Sequence, residues 1–499
     1  MKTKPAHSLV DLPFIGHPSV GLPLAGLGRF LSVATILVAS ATCLPTVLTA
    51  LTWVGNGDAT TPGSGNWNVA SNWEENTAPV VGTSGNARTY VFGGSGDTPY
   101  ISTQNAGGAL TGVDTGKMIF QYLYLQSTAT VTETIAGGNL VFSYSSPTIY
   151  QNGTGDFNIT SNYVFAGATT FAGTGSGTLT FSGIAGGNGT TVSGGNITIN
   201  TNNSAATLRF AGNNNLLANI TLTNGTLDFT AAGALNSYGA TNLTINGGTF
   251  LSSVGSTAAN GGGTSGGSRT MQINGAFTLG GAQNWGTGTM AVKLNDNVAI
   301  TVNTGGASGV TLGGVISDGT SGNTLTLAAG STGTLTLAAQ NTYTGDTIVN
   351  GGTLVLGISE AITDTSGLVL GGGTLAAGAF AETLGTLSLT ANSAITLDES
   401  GGGSLTFANS AANNWSTFTL SITGTVAANS IRFGTDGTGL TSAQLAAITL
   451  NGSVAILDAN GYLLTVAVPE PAATTALLGA GVLLAGSLLV RRRCHRNAS

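Results

Sequence analysis

Residues 333–357 read GTLTLAAQNTYTGDTIVNGGTLVLG. Two runs that alternate apolar with small polar residues flank a polar stretch, and an Asn-Gly-Gly step (Asn350–Gly352) divides the second run. Alternation with period two places successive side chains on opposite faces of a strand. Gly after Asn supplies the positive φ that tight turns need. Leu335, Leu337, Ile348, Leu354 and Leu356 are expected to face a core. The segment Asn341-Thr342-Tyr343-Thr344-Gly345 is expected to turn through solvent.

Working outward, the same design recurs as ITLTNGTLDFT from Ile220 to Thr230, LTINGGTFLSS from Leu243 to Ser253, and LVLGGGTLAAG from Leu368 to Gly378. The shared Gly-Thr-Leu/Phe core returns after 23 residues between Thr226 and Thr249, and after 21 between Thr353 and Thr374. One coil of this size cannot bury its own inner face. Stacked coils pair their strands and share one core, so a period in the twenties indicates a solenoid. The expected class is all-β, a right-handed parallel β-helix or β-solenoid. Coils of about 22 residues from Leu51 to Val468 would number roughly 19, fewer if insertions such as 255–269 interrupt them.

Composition agrees. The 499 residues include 79 Gly, and only 7% are charged. The positive mean hydropathy argues against a disordered tract, and Gly lacks the third-position repeat of collagen. Between Leu51 and Val468 there are 18 Asp and Glu against 6 Lys and Arg, a balance of −12. Arg88, Lys117, Arg209, Arg269, Lys293 and Arg432 are scattered singly, so there is no basic patch to displace counterions from nucleic acid. Both cysteines (Cys43, Cys494) and all three histidines (His7, His17, His495) lie outside this body. It therefore has no thiol nucleophile, imidazole base or Cys/His metal site.

The ends read differently. Residues 1–50 form a signal-peptide region, with Lys2, Lys4 and Arg29 before an apolar run from Phe30 to Ser40. Cleavage is expected after Ala41 or after Ala50. Residues 51–90 hold Trp53, Trp67 and Trp73 among Gly and Asn. They read as an N-terminal cap closing the open solenoid end, with aromatic contact to sugar rings as the other reading. The solenoid body is assigned to 91–433 and a C-terminal cap to 434–468, with a short helix begun by Thr441 or Ser442. The tail, 469–496, opens on Pro469-Glu470-Pro471. It continues with 19 uncharged residues from Ala472 to Val490 and ends in Arg491-Arg492-Arg493. Nineteen residues at 1.5 Å rise nearly span a ~30 Å hydrocarbon core, so 472–490 is read as a transmembrane helix with its basic end cytoplasmic.

Motifs for chemistry do not assemble. Gly263–Gly267 fits G-x-S-x-G, but that elbow needs a histidine base. Gly93–Asp97 is half of one calcium-binding nonapeptide, a site that needs tandem copies. The carboxylate neighbours Glu74/Glu75 and Asp398/Glu399 alternate across a strand and do not converge as glycoside hydrolysis requires. No catalytic residue, metal ligand or cofactor is assigned. Asn-x-Thr triplets such as Asn152-Gly153-Thr154 are read as turns.

Two family resemblances rest on these residues. The tail, with Pro469, Glu470 and Pro471, the apolar span and Arg491–Arg493, resembles a PEP-CTERM sorting signal. That family implies an inner-membrane exosortase as partner, transient anchoring, and delivery to the cell surface or extracellular matrix. Asn341–Gly345 followed by Ile348–Leu354 is similar to the autotransporter-associated β-strand repeat, with Asp346 where Gly is usual. It implies a passenger-like solenoid. The chain ends in an apolar helix pattern rather than the amphipathic strands of a translocator barrel. Together the resemblances imply a Gram-negative-type bacterium with an exopolysaccharide matrix. The expected function is a non-enzymatic, adhesive or structural surface protein. The alternative is a polysaccharide-binding or polysaccharide-degrading protein on the same scaffold.

Overall fold

The computed structural model describes residues 51–52, 65–66, 88–92, 101–104 and 117–465 except 138, 144–145, 186–194, 212–218, 231–241, 253–269, 282–284, 305–308, 320–321, 414 and 416. All belong to one compact unit, Leu48–Ser499. The signal region, the side chains of Trp53, Trp67 and Trp73, Glu74 and Glu75, both dismissed glycine motifs and the whole tail lie outside the described residues. Among the described residues no helix is long and apolar enough to cross a membrane.

The chain is a parallel β-solenoid. A first sheet of 13 strands runs from Leu51–Thr52 to Ile316–Ser317, and a second of 14 from Gly65–Asn66 to Leu387–Ala391. A third, of 10 strands, starts at Trp285–Gly286 and ends at Leu463–Thr465. A fourth holds Ala381–Leu384, Ser404–Phe407 and Ile431–Phe433. Successive strands of the second sheet come from successive coils, so among the described residues its ladder counts 14 rungs from Gly65 to Ala391, close to what coils of about 22 residues would give over that span.

The repeated Thr residues sit in register. Thr334, Thr353 and Thr374 are paired neighbours in the third sheet, and Thr226 and Thr249 in the second. Register follows from the pleat, since a slip of one residue would turn Leu335 and Leu337 out of the core. Both are fully buried and lie in register with Leu354 and Leu356 of the next coil. Inward phenylalanines stack likewise. Phe181, Phe210 and Phe229 follow one another at 5.8 and 5.6 Å with interplanar angles of 20° and 21°.

One architectural feature was not legible in the repeat. In the first half the Asn-Gly turn joins the first sheet (Ile220–Asn224) to the second (Thr226–Phe229). In the second half the same motif joins the second sheet (Thr347–Val349) to the third (Thr353–Leu356). The motif has moved by one corner of the coil, because the third sheet starts at Trp285 and adds a face.

Two details of the opening stretch are corrected. Ile348 is only partly buried and points outward, while Thr347 and Val349 point inward. Val349 pairs with Leu327 of the coil before, which fixes the phase. The Asn341–Gly345 segment does not turn through solvent: Asn341, Tyr343 and Gly345 are buried and only Thr342 and Thr344 are exposed. A Cβ on Gly345 would lie 2.4 Å from the backbone of Asn323, so no larger residue fits that approach.

At the far end, a helix spans Ser442–Ala446. Thr441 is its N-cap, in a capping box with Gln444. The pairings Thr449↔Val454 and Ala455↔Thr465 are antiparallel, unlike the ladders before them.

Candidate functional site

Where residues 341–345 and 358–366 form no strand, buried side chains supplement the backbone bonds between coils. The first sheet stops at Ser317, and the fourth resumes only at Ala381. Between them Asn341 acts as a strap. Its Oδ1 accepts from the Ile316 N–H at 2.7 Å, and its Nδ2 donates to the Ala361 carbonyl at 2.6 Å. The Tyr343 hydroxyl meets the Thr347 hydroxyl at 2.6 Å, and the Ser366 hydroxyl donates to the Gly345 carbonyl at 2.7 Å. Burial pushes the Tyr343 hydroxyl far above its ordinary range, so it stays protonated. Asp318 Oδ2 accepts from the N–H and hydroxyl of Thr344 at 2.8 and 2.7 Å. All but the Tyr343–Thr347 bond tie coil to coil, and Asn341 stands in for ladder bonds that the strandless segment lacks.

Glu382 extends the same device. It is 2% exposed, and its carboxyl oxygens accept from the N–H groups of Ala361 and Ile362 at 2.8 and 2.7 Å. Burial pushes its pKa up to about 7 against the pull of those two bonds, with Glu360 and Asp364 adding to the rise. Burial also raises Glu360. Among the described residues no three His, Cys, Asp or Glu come close enough to hold a metal ion. Sequence reasoning missed Glu382 because A-E-T-L reads as an outward acid on a strand, and its inward turn shows only once the coil beneath is placed.

Of the acids weighed for glycoside chemistry, Asp398 and Glu399 are described. Asp398 ends the strand Ser393–Asp398, and Glu399 opens a 3-10 turn, Glu399–Gly401. Asp398 Oδ1 accepts hydroxyl hydrogens from Ser400 and Thr425 at 2.5 and 2.6 Å. Those bonds lower its pKa and hold it as an ionised turn staple rather than a proton donor.

The outer faces are regular. On the second sheet Thr178, Thr207, Thr226, Thr249, Thr278 and Thr301 stand in one register column. On the first sheet the column is Tyr122, Thr148, Thr170, Thr198, Thr221, Thr244, Gln272 and Lys293. Beside it, Asn246, Asn274 and Asn295 form an amide ladder with bonds of 2.7 Å. Arg209 on the second sheet is paired with buried Asp228 at 2.8 Å.

Comparison with known proteins adds one finding. A family model described as the passenger-associated-transport-repeat matches residues 327–356. The match contains the Asn341–Leu354 unit and both strands that flank its Asn-Gly-Gly turn. It covers a small part of the chain, so it shows what that coil is similar to and does not assign the whole protein. No curated protein and no solved structure matches.

Proposed function

We propose that this is an exported, non-catalytic surface protein whose β-solenoid serves as a stiff, mildly acidic rod in a polysaccharide matrix. The observation that carries the reading is the passenger-type repeat at 327–356 embedded in a parallel stack. Repeats of that kind extend a chain by stacking, each coil supported by its neighbours. The acidic balance of the body keeps such rods apart in solution.

Export begins with the 1–50 signal region. The 472–490 segment then holds the chain in the inner membrane, with Arg491, Arg492 and Arg493 on the cytoplasmic side. An exosortase acts near Pro469-Glu470-Pro471 and releases the solenoid toward the surface. The order of motif, apolar span and basic end supports this route. The test is cell fractionation of the chain with Pro469, Glu470 and Pro471 each replaced by Ala. The expected result is retention in the inner membrane. Unchanged surface delivery overturns the sorting assignment.

A further inference from the structure

The outer face of the first sheet carries three tyrosines that the core does not use. Tyr122 and Tyr124 lie on the strand Lys117–Leu125, and Tyr150 on the strand Thr148–Gln151. Leu123, Leu125 and Ile149 alternate with them and are buried, which places the tyrosines outward. Tyr124 is in register with Tyr150. Their rings stack at 4.6 Å and 10°, and Tyr122 lies 6.5 Å from Tyr150. All three are half-buried, so part of each ring meets solvent.

The coil after Tyr150 places Ala172 in register with it. Tyr150 is therefore stacked by Tyr124 on one side and flanked by a methyl group on the other. Coils stand ~4.8 Å apart, about the thickness of a pyranose ring plus contact. From this platform a hydroxyl column leads away through Thr148, Thr170, Thr198, Thr221 and Thr244. From Tyr122 to Gln272 the column holds no charged residue, and Lys293 is the first.

We infer that this face binds an uncharged polysaccharide chain that crosses the coils at Tyr150. A sugar ring packs its C–H face on Tyr150 above Ala172, and a neighbouring unit bonds to the hydroxyl of Thr170 on the same strand as Ala172. Tyrosine suits the task because it offers a large apolar face and a polar tip with few torsions to freeze. The charge balance selects the partner. On a body of net −12, the stretch from Tyr122 to Gln272 offers an anionic chain no cations and repels it. The inference rests on the matrix reading above and names its ligand class.

The test is titration of the purified full chain with cellohexaose and laminarihexaose, with alginate as the anionic counterpart. Calorimetry and tyrosine fluorescence are the readouts. The expected result is saturable binding of at least one neutral glucan and none of alginate. Tyr150→Ala and Ala172→Glu weaken binding at least about tenfold, while Tyr150→Phe stays within about threefold. Ala172→Glu adds bulk only on the outer face, so its unchanged circular dichroism separates lost binding from lost fold. The inference is overturned if the native chain binds neither glucan, if Tyr150→Ala and Ala172→Glu bind as the native chain does, or if sedimentation shows that the face pairs two copies of the chain instead. Surface delivery without glucan binding removes this inference and leaves the sorting reading intact. Glucan binding by a chain that never leaves the cytoplasm does the reverse.

Discussion

Glu382 and Asn341 show how single side chains stand in for a missing strand. Each accepts from a backbone N–H that the interrupted ladder leaves unpaired, and Asn341 also satisfies the Ala361 carbonyl. Leaving such groups bare costs about 1–3 kcal/mol apiece, so the amide of Asn341 and the carboxyl of Glu382 are structural. Glu382 also makes stability depend on pH. Its folded pKa is raised to about 7 by burial, so the folded chain keeps a proton that the unfolded chain releases at a lower pH. Its stabilising contribution is therefore complete in acid and is lost as the pH rises through the interval up to about 7. In urea unfolding, the native chain should lose about 2–3 kcal/mol more than Glu382→Gln between pH 5 and pH 8. Parallel pH profiles for the two chains would refute this account of Glu382.

At the scale of the strand, the alternation decides more than the composition does. The spacing of Thr353 and Thr374 was readable because inward leucines must restack on one another, and both threonines proved to be register partners. Ile348 was not readable from its own strand. In Thr-Ile-Val two apolar residues compete for one inward position, and only pairing with Leu327 below selects Val349. Tyr343 is hidden in the sequence for a different reason: a turn-like composition masks a site where buried side chains bond to one another. The tyrosines of the first sheet were visible as letters but had no face until their coils were paired. The phase has a measurable consequence. Ile348→Thr should change stability by no more than about 0.5 kcal/mol, whereas Leu354→Ala should cost about 2–5 kcal/mol. A larger loss for Ile348→Thr than for Leu354→Ala would reverse the assigned faces.

Across the whole molecule, stacking explains why a chain so rich in Gly and Thr folds. The core is one continuous line of inward side chains from Tyr90 to Leu463, so no coil needs a large core of its own. The repeat at 327–356 links that architecture to exported passengers, while the proposed route depends on both ends of the chain. The strands indicate what is displayed, and the Pro-Glu-Pro segment is the proposed address. Both ends are read at once by the intact mass of the protein recovered from the extracellular fraction of its cells. The account predicts a chain shortened at its start after Ala41 or Ala50 and at its end near Pro469–Pro471. The mass of all 499 residues, or recovery only from the cytoplasm, would contradict it.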